Sequence, residues 1–164
     1  EKYGEEDGLK IWKDRQSKWQ DTLLKNGNIK GGYSKISQKL FNDILNTYKK
    51  KNIKNLFFWT KNNEIVFKYD TGFFMYDFTD IEKKKIIEYN GDQYHANPAI
   101  YEADSKSHPY FKHNGLTAAD IWQKDKKKID LAKSKGYDVL VIWDSDYNKD
   151  PNKEFQKCLD FLNT

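Results

Sequence analysis

Apolar positions along this chain follow two rhythms. From Ser34 to Tyr48 they recur at steps of three and four. Ile36, Leu40, Phe41, Ile44, Leu45 and Tyr48 form one stripe, which predicts an amphipathic helix capped by Ser34 or Ser37. From Leu56 onward the rhythm shortens. Leu56–Thr60, Ile65–Tyr69, Phe73–Thr79 and Lys85–Tyr89 are short runs rich in Phe, Ile, Val and Tyr, and read as strands. Lys61-Asn62-Asn63, Asp70-Thr71-Gly72 and the stretch from Asp80 to Lys84 are turn signals, so these strands are expected to form an antiparallel meander.

The second half alternates helix and strand. Thr117 is placed to cap a helix running to about Lys135, with Ala118, Ile121, Trp122, Ile129 and Ala132 mainly on its inner side and Gly136 ending it. Asp138–Trp143, DVLVIW, is a nearly unbroken apolar run, which suits a central strand covered on both faces. A last helix, Asn152 to Leu162, packs Phe155, Leu159 and Leu162. Between the two halves, Gly91 to Thr117 has no periodicity and carries Pro98, Pro109, Gly115 and all three histidines. A long irregular stretch inside a compact domain is usually functional or mobile. The predicted class is α/β: a mixed central sheet flanked by helices.

Residues 1–32 differ. Leu9, Trp12 and Trp19 fall at roughly helical spacing, and Gly27, Gly31 and Gly32 then break the pattern. Two units are expected: a small N-terminal helical module with linker over 1–32, and a main domain over 33–164.

Composition narrows the partners. The chain has 164 residues, 37% hydrophobic and 16% aromatic, which supplies one real core. The formal net charge is +4, and the positive charge is almost all lysine, with Arg15 the single arginine. Such a balance favours a polyanionic partner, or reflects an AT-rich coding sequence. Cys158 is the only cysteine, which excludes an internal disulfide and a cysteine-based zinc site and fits a reducing cytoplasm. No stretch is apolar enough to span a membrane, and no signal peptide is visible. The start at Glu1 without methionine is what a piece of a longer protein would show.

Three positions carry candidate chemistry. Asp77 lies inside the apolar strand FFMYDFTD, where it reads either as a strand-end carboxylate facing solvent or as a magnesium ligand at a sheet edge. Glu88 and Asn90 share a face of the next strand, which leads through Gly91 to His95. Asp125 falls four residues after Ile121 and four before Ile129, on the inner side of its helix. Lys124, Lys127 and Lys128 on that helix read as a solvated face or a phosphate-binding one, while Tyr110 and His113 in the irregular segment are candidates for nucleic-acid contact.

Together these landmarks resemble a family. Asp77 in its strand, Tyr89-Asn90-Gly91, the pair Tyr94-His95, Asp125 on a helix, and Gly136-Tyr137 leading into Val139–Asp144 match in order and spacing. They are similar to the very-short-patch-repair endonucleases and the related phage homing endonucleases called EDxHD, within the PD-(D/E)XK superfamily. The segment KYGEEDGLKIW also looks like small modules found beside phage homing endonucleases. The resemblance implies a PD-(D/E)XK fold and a Mg²⁺-dependent endonuclease acting on double-stranded DNA in a bacterial or phage-infected cell, with Mn²⁺ able to substitute. Asp77, with Glu88 or the Tyr89 carbonyl, would hold the metal. His95 would be the general base, oriented by Asp125, and Asn90 stands where the repair enzymes carry a second histidine.

The chain also departs from the pattern. The family's acid on the first helix is replaced by Gln38, followed by Lys39, with Asp43 one turn further on as a substitute. The strand reads Glu88-Tyr89-Asn90, without the lysine of the common Glu-x-Lys motif. The side chains of Glu88 and Tyr89 cannot both face the site unless the strand bulges. A nuclease fold decayed to a DNA-binding module and a protein-interaction adaptor are the rival readings.

Overall fold

The computed structural model describes residues 18, 34–49, 56–58, 65–106 and 115–164. Apart from Lys18, the expected N-terminal module lies outside the described residues, as do Tyr110 and His113.

The elements in chain order are α1 (Lys35–Lys49), β1 (Leu56–Phe58), β2 (Ile65–Tyr69), β3 (Gly72–Tyr76), β4 (Phe78–Asp80), β5 (Lys85–Asn90), α2 (Ala118–Ser134), β6 (Asp138–Trp143), α3 (Asp144–Lys149) and α4 (Pro151–Asn163). Ser34 opens α1, its Oγ accepting from the backbone N–H groups of Ile36 and Ser37 at 3.2 and 3.4 Å. Thr117 opens α2 in a reciprocal cap: its Oγ1 accepts from Asp120 N, and Asp120 Oδ2 accepts from Thr117 N at 2.8 Å. Gly136, at φ +82°, ends α2, and Tyr137 N then donates to Ala132 O at 3.1 Å.

Four strands form one mixed sheet in the order β1-β4-β5-β6, with β5 and β6 parallel and the other pairs antiparallel. On one face, Phe78, Ile87, Tyr89 and Ile142 pack against Leu40, Phe41 and Ile44 of α1, Tyr147 of α3, and Cys158, Leu159 and Leu162 of α4. On the other, Ile86 meets Tyr76, Ala132 and Tyr137, with Phe67, Phe74 and Val139 packed around them. Burial of each such large side chain contributes about 2 kcal/mol relative to exposure. The fold is therefore mixed α/β, with α1, α3 and α4 on one face and α2 with the β2–β3 hairpin on the other. No helix among the described residues is long and apolar enough to cross a membrane.

Three expectations need correction. Asp138–Trp143, expected as a central strand, is β6 at the end of the sheet order, paired with β5 alone among the described residues. The strands are not one meander: among the described residues β2 and β3 pair only with each other, and β1 reaches past them to β4. The expected strand Phe73–Thr79 is broken at Asp77, its first part belonging to the hairpin and its second to the main sheet. The cause is the side-chain hydrogen bonding of Asp77 described below. A short helix, α3, also follows β6 directly, where the sequence offered no apolar stripe.

Candidate functional site

Asp77 stands at the fracture between β3 and β4. The β4–β5 ladder runs out at Phe78↔Ile87, so its continuation would set Asp77 opposite Glu88. Side chains take over there. Tyr89 N donates to Asp77 Oδ2 at 2.9 Å, and Asp77 N donates to Glu88 Oε1 at 3.3 Å. Backbone groups that lose their ladder partners at depth must find others, and these two carboxylates supply them.

Glu88 is almost fully buried, on the sheet face that α2 covers. Its Oε2 accepts from Lys128 Nζ of α2. Lys128 is itself largely enclosed: its ammonium lies 5.2 Å from the Tyr76 ring centroid, and the Tyr76 hydroxyl donates to Lys128 O at 2.8 Å. Burial raises the Glu88 carboxyl above its ordinary range and Asp77 adds to this, while Lys128 opposes it. For Lys128, burial favours the neutral amine, but Glu88, Asp77 and Asp125 outweigh it and hold the ammonium charged. Lys128 is thus not part of the solvated lysine face expected from sequence. It falls three residues after Asp125, on the inward side of α2, whereas Lys124 and Lys127 are exposed.

His95 lies in the turn-rich stretch after β5, its N–H donating to Gly91 O at 3.0 Å. Its Nδ1 is 2.7 Å from Asp125 Oδ2, with the two side chains 29% and 23% exposed. With Nδ1 engaged by a carboxylate, Nε2 is the nitrogen left to accept a proton. Ala96, at φ +48° and fully buried, offers its carbonyl to Trp122 Nε1 at 2.6 Å. Buried Asn97 donates to Asp92 Oδ1 at 2.6 Å, and Ser145 of α3 donates to the same oxygen at 3.1 Å.

Asp77, Glu88, Tyr89, Asp92, His95, Lys128 and Asp144 border one open cavity of about 880 Å³; Asp125 touches His95 but is not among the residues that line it. α1 contributes Gln38 to its wall, so the residue at the place of the family's first acid does face this space. Asp43 does not. Further along α1, it borders a separate cavity of about 370 Å³ with Tyr147 and Phe155, and so does not take the place in this cavity that the resemblance offered it. The Tyr89 side chain points to the opposite sheet face from Glu88, its hydroxyl donating to Asp144 Oδ1 at 2.6 Å. Burial, then Asp144, raises that hydroxyl above the ordinary tyrosine range. Asn90 is buried, pairs with Trp143 in the ladder and is not among the cavity-lining residues. Tyr101 borders the cavity and packs against Ala96, Ala118 and Ile121.

Four carboxylates line this cavity, Asp77, Glu88, Asp92 and Asp144, and of these Asp77 and Glu88 are joined directly, Asp77 N donating to Glu88 Oε1. Among the described residues, no three His, Cys, Asp or Glu side chains gather into a metal-holding group. Mg²⁺ is commonly held by one or two carboxylates, with water and substrate phosphate completing the octahedron, and the linked pair Asp77 and Glu88 meets that requirement. The donors are hard oxygens, as Mg²⁺ and Mn²⁺ need.

Sequence reasoning gave Lys128 a solvated or phosphate-binding place and not the one beside Glu88 that it occupies, and it assigned no role to Asp92, Trp122 or Asp144. Lys128 was legible in principle, because i,i+3 spacing sets it beside Asp125. Trp122 carried the same signal, three residues before Asp125. The chain matches no protein-family model, no curated protein and no solved structure.

Proposed function

We propose that this chain is a metal-dependent DNA endonuclease of PD-(D/E)XK type, akin to the very-short-patch-repair-like homing and repair enzymes, that hydrolyses phosphodiester bonds in double-stranded DNA. One observation carries the reading: His95, whose Nδ1 is held by Asp125, borders the same cavity as Asp77 and Glu88, which are joined by Asp77 N donating to Glu88 Oε1.

In this reading His95 takes the proton of the attacking water at Nε2. Asp125 fixes the ring tautomer and stabilises the imidazolium that results. Asp77 and Glu88 would hold Mg²⁺, or Mn²⁺ in its place, with the Tyr89 carbonyl as a further ligand. Bound there, the cation supplies charge neutralisation on the phosphate and its leaving oxygen. Lys128 offsets the negative charge of the two carboxylates, so a phosphate can approach them. The exposed Lys124 and Lys127 meet the DNA backbone by displacing its counterions.

Gln38 favours a second reading, a nuclease fold that has lost catalysis and serves as a DNA-binding module, because an amide faces the cavity at the place of the family's acid. A plasmid assay separates the two. Wild-type protein should nick or linearise plasmid with Mg²⁺ or Mn²⁺, EDTA should stop it, and Asp77→Ala should be inactive. Salt-sensitive DNA binding without cleavage under any metal would select the binding module. Absence of both would refute DNA as the partner.

A further inference from the structure

Helix α2 reaches the His95 turn twice. Asp125 holds the imidazole, and Trp122, three residues earlier on the same side of the helix, donates its indole N–H to the carbonyl of the next residue, Ala96, at 2.6 Å. Ala96 is in the left-handed region at φ +48°, which disfavours a residue with a Cβ by about 1 kcal/mol. Such a conformation persists only where its surroundings enforce it. The flanks of the turn are anchored elsewhere: His95 N to Gly91 O, and Asn97 to Asp92, which Ser145 also holds. The side chain of His95 and the carbonyl of Ala96 are held by α2.

We infer that Trp122 is a positioning residue for His95. Its N–H pins the carbonyl that follows the histidine, which fixes the left-handed turn and keeps Nδ1 opposite Asp125. The indole ring also packs against Ala96, Ala118 and Ile121, so the donor and the packing have to be separated experimentally. The inference rests on the proposed role of His95 only for its effect on cleavage. The geometry of the ring can be read without any activity.

Two substitutions separate them. Trp122→Phe removes the donor and part of the ring. Replacement of Trp122 by β-(3-benzothienyl)alanine keeps the bicyclic shape and exchanges the N–H for sulfur, so a fold lost in the first variant is retained in the second. The first readout is the His95 Nδ1–H resonance in ¹⁵N-labelled protein, assigned by its loss in His95→Gln. The second is single-turnover cleavage with Mg²⁺, alongside DNA affinity. In the benzothienyl protein the resonance is expected to broaden or move, and the cleavage rate to fall about tenfold with affinity unchanged, since small misplacements of a reacting group cost factors of this order. An altered resonance with undiminished cleavage upholds the positioning role and refutes His95 as the base. An unchanged resonance overturns the inference whatever the cleavage rate, because Trp122 would then act by packing or by touching DNA.

Discussion

Lys128 of α2 and Glu88 of β5 form an ion pair in which the carboxylate side chain is 5% exposed and the lysine side chain 17%. An enclosed pair of this kind is most sensitive to losing one partner. Lys128→Ala leaves a buried carboxylate beside Asp77 and is expected to destabilise the fold by about 3 kcal/mol at mildly alkaline pH, measured by urea denaturation. Lys128→Met combined with Glu88→Gln should recover most of that loss. Equal stability of Lys128→Ala and wild type would show that the pair is solvated.

Cleavage should depend on the cavity carboxylate and the histidine and not on general affinity for DNA. Asp77→Ala and His95→Ala are each expected to lower the single-turnover rate by about a hundredfold or more, with duplex binding retained. Asp125→Asn should fall between these and wild type. Near-wild-type cleavage by either alanine variant would refute the assignment of the site.

The raised Glu88 carboxyl makes metal binding depend on pH. Its carboxyl is pushed up to about 7, so a cation competes with a proton there in mildly acid solution. Mg²⁺ or Mn²⁺ affinity should rise as pH increases through that value, with proton release visible by calorimetry in buffers of different ionisation enthalpy. The sign for the metal-free fold is opposite: a raised carboxyl favours folding most in acid, and that contribution fades as pH climbs from the ordinary carboxylate range to about 7.

Lys124 and Lys127 lie on the exposed side of α2, where substitution should touch affinity alone. Each change to Ala is expected to reduce the slope of log affinity against log salt by about 1, leaving stability and bound-state cleavage rate as they were. An unchanged slope in both variants would place the DNA on another surface.

Cys158 is fully buried in the core beneath α4, and burial pushes its thiol up to about 12. It should remain protonated and inert to a thiol reagent in native protein at neutral and mildly alkaline pH, and react at once in denaturant. Fast labelling of the native protein would contradict the packing of α4.

Much of this arrangement was legible in the chain because it is periodic or local. The stripe of α1, the cap and glycine stop of α2, and the apolar run of β6 all follow from spacing, and each element lies within a residue or two of its expected bounds. What escaped depends on partners distant in sequence. Asp77 breaks its strand because of Glu88 and Tyr89, eleven and twelve positions on, and no feature of FFMYDFTD announces that. Lys128 was hidden in a run of lysines whose composition reads as solvent. α3 buries only Tyr147, too little for a pattern. The meeting of His95 and Asp125, 30 positions apart, was expected through the family resemblance and not through periodicity.

The parallel pairing of β5 with β6 bears on when the cavity comes into being. Its register joins Lys85 to Asp138 and Asn90 to Trp143, so it closes a chain loop containing the His95 turn and all of α2. Asp77, Glu88 and His95 come from one continuous stretch that a local hairpin can order early, whereas Asp125 and Lys128 arrive only when that long loop closes, the slow and entropically costly event in such a topology. A nascent chain halted before β6 would therefore carry Asp125 and Lys128 on an α2 not yet docked, and the acidic half of the site would lack the neutralising and orienting contacts they make.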